Sequence, residues 1–202
     1  MAKIFYAVSG EGRGHATRAR ALVEDLKQDH EVTLFAPGFA YDLLAPFYRE
    51  SEVQVRAIPG LRFFYSADRK LDYFRTGVGN LEYIRNFRQL IGRLTKQMER
   101  EQPDLVITDF EPSLPRAAKR CGIPFISLDH QHFLLTADLS SLPFSLRAHA
   151  AFMAQIVRIY YSGQQHTLVS SFYFPPVKKR LMATSSLAMV NISRQEVLPY
   201  SR

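Results

Sequence analysis

Short apolar runs alternate along this chain with longer stretches whose apolar residues recur at helical spacing. Residues 4–8 (Ile-Phe-Tyr-Ala-Val) are continuously apolar, as expected of a strand buried on both faces. Residues 16–28 then place Ala19, Leu22, Val23 and Leu26 on one side of a helix. A second strand is predicted at 32–36, a helical stretch near 41–49 and a third strand at 53–58. A long amphipathic helix follows over 81–101, with Leu81, Ile84, Phe87, Ile91, Leu94 and Met98 on its stripe and Pro103 just beyond its end. Strand 105–108, a short helix over 112–121 with Gly122 beyond its end, and strand 125–128 come next. Helix 146–161, strand 166–171 and a seventh strand at 187–192 complete the series. This βαβ order predicts an α/β fold, a parallel sheet with helices on both faces.

Ligands of such sheets sit at the carboxyl ends of the strands, and that rule selects three polar groups. After the first strand comes Gly10-Glu-Gly-Arg-Gly-His15, after the fourth Asp109-Phe-Glu111, and after the fifth Asp129-His-Gln-His132. Gly10, Gly12 and Gly14 permit positive φ and close backbone approach. The following helix turns its free N–H groups and positive dipole end toward that turn. Such a turn suits an anionic or oxygen-rich ligand and presents the titratable His15 to it. A dinucleotide fingerprint would need a small residue where His15 stands and an acid after the second strand, which ends in Pro37-Gly38. A P-loop would need Lys-Ser or Lys-Thr to close the turn, and neither is present. A plain strand-to-helix turn remains the simpler alternative for the glycines.

Composition narrows the picture. The 202 residues, 47% hydrophobic, suffice for one sizeable core. No run approaches the ~20 apolar residues of a membrane span, and residues 4–8 are too short for a secretory signal. The single Cys121 excludes an internal disulfide and suits a reducing compartment, so a cytoplasmic protein is expected. The net charge of +7, from 26 basic and 19 acidic residues, favours anionic partners. The basic residues are dispersed (Arg13, Arg18 and Arg20; Arg62, Arg69, Lys70 and Arg75; Arg85, Arg88, Arg93 and Lys96; Lys178, Lys179 and Arg180), with no zinc-finger or RNA-recognition motif. A basic rim around a cleft, or contact with acidic headgroups at the inner membrane face, is expected in preference to nucleic acid.

Three blocks in order, Gly10-Glu-Gly-Arg-Gly-His-Ala-Thr-Arg18, Pro103-Asp-Leu-Val-Ile-Thr-Asp-Phe-Glu-Pro112 and Ile123-Pro-Phe-Ile-Ser-Leu-Asp-His-Gln-His132, resemble the N-terminal domain of GT-B glycosyltransferases. The bacterial and archaeal group related to MurG-type enzymes and to glycosyltransferase family 28 is the nearest in pattern. The resemblance runs over nearly the whole chain. It implies a Rossmann-like acceptor-binding domain over 1–190, the start of an interdomain linker at 191–202, and a donor domain outside this chain. Relatives often carry a Gly-Pro pair near the end, where this chain reads Val190-Asn-Ile-Ser-Arg194.

The resemblance implies a nucleotide-sugar donor, a UDP-sugar first among them, no tightly bound cofactor and no required metal. It implies a sugar or lipid-linked acceptor, and little activity from this half alone. A histidine can take the proton of an acceptor hydroxyl, and a carboxylate on its other nitrogen would fix the tautomer. His15 is accordingly the expected base and Asp109 its orienter. The alternatives are that His15 caps the turn or binds acceptor without proton transfer, and that Asp109 caps the helix after Glu111 or pairs with a backbone N–H.

Gly10, Gly12, Arg13, Gly14, Glu111, Asp129, His130, Gln131 and His132 are the expected acceptor contacts. His130 and His132 stand where MurG-like proteins carry Glu and Asn, which implies different acceptor chemistry. Asp129, His130 and His132 do not follow a zinc spacing. Residues 61–80 interleave aromatics with arginines, suited either to grip sugar and phosphate or to pack as an extra hairpin. Residues 39–42 and 172–176 read as packing, and 178–180 as a solvated basic turn. A non-catalytic acceptor-binding module and half of a nucleotide-sugar epimerase are the competing functions.

Overall fold

The computed structural model describes residues 1–68, 70–160, 162–171 and 176–178, together with the backbone of 187–190. Seven strands form one parallel sheet: β1 (Lys3–Val8), β2 (Glu31–Ala36), β3 (Gln54–Ala57), β4 (Leu105–Asp109), β5 (Phe125–Asp129), β6 (His166–Ser170) and β7 (Leu187–Val190). Their order is β3-β2-β1-β4-β5-β6-β7. The helices are α1 (Arg13–Leu26), α2 (Gly38–Phe47), α3 (Tyr73–Gly79), α4 (Leu81–Glu101), α5 (Ser113–Cys121), α6 (Phe133–Thr136) and α7 (Phe144–Tyr160).

The strands alternate their side chains between two cores. Ile4, Tyr6 and Val8 of β1 pack with Ala16, Ala19 and Val23 of α1 and with Leu44 of α2. Phe5 and Ala7 point the other way, toward Leu90, Ile91, Leu94 and Met98 of α4 and Leu114 of α5. Burying each such large side chain contributes roughly 1.5–3 kcal/mol, so strands buried on both faces read as continuous apolar runs. The order places a topological switch between β1 and β4: the chain leaves β1 toward one edge and returns through β4 toward the other. Val8 pairs with Asp109 at that point, and Ser9 N–H donates to the Asp109 carbonyl (2.8 Å). Open α/β sheets bind ligands in the crevice outside such a switch.

Several expectations change in detail. Helix α1 starts at Arg13 rather than 16, so Gly14 and His15 belong to its first turn, with Gly12 as N-cap. Helix α2 starts at Gly38 and carries Pro46 in its last turn. The stripe of α4 holds from Phe87, partly buried against the core, through Ile91, Leu94 and Met98, whereas Leu81 and Ile84 face solvent and Leu90 joins the buried face. Residues 61–80 do not pack into the core. Their described residues contain one antiparallel bridge, Tyr65 to Leu71, then α3, and leave Tyr65, Tyr73 and Phe74 exposed. Helix α7 runs 144–160 and buries only Ala154 and Val157.

Lys178 is not simply solvated: its ammonium donates to the carbonyls of Leu135 (2.8 Å) and Leu134 (3.4 Å) at the end of α6. Arg69, Tyr161, residues 172–175, Lys179 and Arg180, the end of the seventh strand at 191–192, and the expected linker at 191–202 lie outside the described residues. Among the described residues no helix is long and apolar enough to cross a membrane.

Candidate functional site

The glycine turn owes its shape to two different constraints. Gly12 has φ of 75°, which strains any residue with a Cβ. At Gly10 a Cβ would lie 2.9 Å from the Pro37 carbonyl oxygen, so the turn needs glycine to close against the end of β2. Gly14 has neither constraint: a Cβ there would meet nothing within 4 Å, and the space above the first turn of α1 is open.

That first turn carries His15 to the switch point. Its Nδ1 lies 2.7 Å from Asp109 Oδ1. An ionised carboxylate only accepts, so the proton sits on Nδ1 and the lone pair on Nε2. The Gln131 amide nitrogen lies 3.3 Å from that Nε2 and donates to it. The Gln131 Oε1 is buried without a hydrogen-bond partner among the described residues. His15 keeps 12% side-chain exposure, whereas Asp109 has none.

Arg18, one turn along α1, completes the group. Its Nε donates to Asp109 Oδ2 (2.8 Å) and its Nη2 to Oδ1 (2.7 Å). Burial alone would lower the Arg18 guanidinium, but the charge and hydrogen bonds of Asp109 outweigh it and hold it above its ordinary value. Phe110 follows Asp109 with φ of 55°, a conformation that costs a non-glycine residue about 1–3 kcal/mol and clusters at functional sites. This twist turns the Phe110 ring out to stack on Tyr160 (centroids 4.1 Å apart) and beside His15 (6.5 Å).

Other expected contacts are placed differently. Glu111 is buried and caps α5, accepting from Ser113 N (2.9 Å), Ser113 Oγ (2.6 Å) and Leu114 N (2.8 Å). The helix capped after Asp109 therefore takes its cap from Glu111, while the Asp109 carboxylate is given to His15 and Arg18. Burial pushes the Glu111 carboxyl up, and these hydrogen bonds pull it partly back.

Asp129 and His132 form a second buried pair. Asp129 Oδ2 accepts from His132 Nδ1 (2.7 Å) and Oδ1 from His132 N (2.8 Å), while Gln164 Nε2 lies 3.2 Å from His132 Nε2. With both residues sealed, neither faces the crevice. His130 is exposed, with Nδ1 2.7 Å from the Ser170 carbonyl. Among the described residues no three His, Cys, Asp or Glu side chains converge to hold a metal ion.

A cleft of about 1150 Å³ opens beside the turn. Gly10 to Arg13 form one wall and Phe63, Asn80 and Tyr83 stand opposite. Glu11 ties the walls together by accepting from Phe63 N (2.9 Å). His15 is not itself among the residues that line the cleft. Spacing could have revealed Arg18, since i and i+3 share a helix face. Nothing in the sequence marks the twist at Phe110.

Solved structures share this fold. The crystal structure of Acinetobacter baumannii MurG matches with a TM-score of 0.53 at 14% identity, covering 96% of this chain and 46% of that one. Arabidopsis thaliana UGT89C1, complexed with UDP-L-rhamnose, matches at 0.56 and 12% identity, covering 85% and 45%. LpCGTa in complex with UDP matches at 0.58 and 18% identity, covering 85% and 46%. The chain thus spans about half the length of these structures, and its fold is the Rossmann-like N-terminal half of a GT-B architecture. No curated protein matches the chain in sequence. The family model for glycosyl transferase family 1 matches residues 2–202, and the chain belongs to that family.

Proposed function

We propose that this chain is the acceptor-binding half of a nucleotide-sugar-dependent glycosyltransferase, with His15 as general base and Asp109 as its orienter. The observation that carries the reading is the 2.7 Å contact between His15 Nδ1 and a fully buried Asp109, made at the switch point of the sheet. The acceptor hydroxyl oxygen forms a bond to the anomeric carbon of the donor while that carbon's bond to the diphosphate oxygen breaks. The hydroxyl proton passes to His15 Nε2, and the imidazolium is stabilised by Asp109 through Nδ1–H. The nucleoside diphosphate leaves with the bonding pair. The acceptor approaches over Gly14 and against Gly10, Gly12, Arg13, His130 and Gln131; Gln131 must swing off Nε2 to admit it. Glu111, Asp129 and His132 support this surface from beneath.

The donor, a UDP-sugar by analogy with the nucleotides in LpCGTa and UGT89C1, belongs to a second domain. The acceptor is a sugar or lipid-linked sugar presented at the cytoplasmic face of an anionic membrane. Support for the membrane comes from exposed Tyr65, Tyr73, Phe74, Val78 and Ile84, which lie among Lys70, Arg75, Arg85 and Arg88. Such a mixed apolar and basic surface suits acidic headgroups.

Screening donors and acceptors with a protein carrying both halves tests the reading. Transfer that needs His15 supports it, and transfer unaffected by His15→Ala removes the base. The isolated chain should bind UDP-sugars weakly or not at all, and tight binding would overturn the assignment of the donor to the other half. Phosphatidylglycerol vesicles should sediment the chain, while phosphatidylcholine vesicles should leave it in solution.

A further inference from the structure

We propose that Arg18 is a positioning residue of this site: its guanidinium clamps both oxygens of Asp109 and offsets that carboxylate's charge at the His15 ring, whose Nε2 is then presented to an acceptor. The inference rests on the proposed role of His15 as base.

The geometry is that of a three-membered contact. Arg18 Nη2 and His15 Nδ1 both lie 2.7 Å from Asp109 Oδ1, and they are 3.1 Å from each other. The second arm of the fork, Nε on Oδ2 at 2.8 Å, prevents the carboxylate from rotating away. Asp109 has no solvent exposure and Arg18 only 13%, so water does little to screen this arrangement.

A buried carboxylate beside Nδ1 favours a positive charge on the ring. A cation 3.1 Å from the same ring nitrogen opposes protonation. The other groups facing the cluster are few. Gln131, after β5, meets the far nitrogen of the ring and carries no charge. Tyr6 on β1 is fully buried, its hydroxyl has no hydrogen-bond partner among the described residues, and burial first, then the Asp109 charge, pushes its titration far above the ordinary range. Asp129 on β5 acts on Arg18 and Tyr6 through its charge, a smaller effect than that of Asp109. Arg18 is therefore the group able to offset Asp109 at the ring.

The test follows the His15 ring nitrogens by 15N NMR in this 202-residue chain, through a pH titration. Arg18→Met removes both charge and fork, and should raise the His15 titration midpoint by about one pH unit or more, a tenfold tighter proton. A midpoint within about 0.3 unit of wild type would overturn the charge balance. Arg18→Lys keeps the charge without the fork and tests the clamp even where Arg18→Met does not fold. It should leave the midpoint near wild type and broaden the Nδ1–H resonance by faster exchange. An equally protected Nδ1–H would overturn the clamp.

In a protein carrying both halves, the acidic limb of the kcat/KM profile should move to higher pH with Arg18→Met, so that activity lost at pH 7 returns on the alkaline side. Turnover retained by His15→Ala would sink the base assignment alone, because the ring resonances of the Arg18 variants would still decide the present point.

Discussion

Two aspartate–histidine pairs stand at the ends of neighbouring strands in this molecule, built from the same bond. Asp109 on β4 meets His15 Nδ1 at 2.7 Å, and Asp129 on β5 meets His132 Nδ1 at 2.7 Å. Both carboxylates are fully buried. The difference lies in the far side of each ring. His15 keeps 12% exposure and turns Nε2 toward a single displaceable amide, whereas His132 keeps 3% and turns Nε2 toward Gln164 inside the protein. A second difference is span. His132 is three residues from its carboxylate and closes a local turn, while His15 reaches across 94 residues to join α1 to β4. The same bond thus leaves the far nitrogen of one ring near solvent and encloses that of the other.

The comparison breaks most decisively at the histidines. In a protein carrying both halves, His15→Ala should lower the chemical rate by about 10²–10⁴-fold, the contribution of the proposed general base, while thermal stability changes little because Arg18 still pairs Asp109. His132→Ala should do the opposite. Removing one partner of a buried pair costs about 3–5 kcal/mol, yet the folded fraction should turn over near the wild-type rate. Rate and melting measurements on both variants decide this, and a His132→Ala protein that melts normally but does not turn over would place the chemistry at the wrong pair.

The carboxylates sharpen the same contrast at a smaller scale. Asp109→Asn replaces one of two accepting oxygens with a donor NH2, so the three donors of His15 and Arg18 compete for a single oxygen and the buried Arg18 loses its counter-charge. Turnover should fall by roughly 10²–10³-fold as the ring loses its fixed tautomer, and stability should fall by about 3 kcal/mol. Asp129→Asn retains a carbonyl oxygen for the His132 backbone N–H and should cost only about 1–2 kcal/mol, with turnover preserved. Chemical denaturation of the two variants side by side measures the gap, and equal losses of rate would erase the distinction between the pairs.

Much of this was legible in the chain. The apolar runs placed β1, β2, β4 and β5 because parallel strands buried on both faces need apolar residues throughout, while the half-exposed β3 showed itself by alternation. The carboxyl-edge rule then brought His15, Asp109 and Gln131 together correctly. It failed for Glu111, Asp129 and His132 because position at an edge says nothing about which way a side chain turns. Glu111 follows a residue at φ of 55°, and that twist sends its carboxylate into the α5 N-terminus instead of the crevice. Leu81 and Ile84 misled for a related reason: periodicity shows that a stripe exists, while burial depends on whether another element lies against it.

Glu111 is the smallest and cleanest test, since it is a third buried carboxylate at this edge with no histidine attached. Its partners are Ser113 and the backbone of α5. Glu111→Gln should cost about 0.5–2 kcal/mol, the usual range for loss of a helix cap, and leave turnover within about twofold of wild type. Because burial raises this carboxyl, the folded chain holds the proton more tightly than the unfolded one. Its contribution to stability is then fully present below the ordinary glutamate value of 4.5 and shrinks as pH rises through the elevated native value. The stability advantage of wild type over Glu111→Gln should accordingly be larger in acid than at neutral pH. An advantage that grows with pH would mean that the backbone donors of α5 outweigh burial and that Glu111 is held ionised.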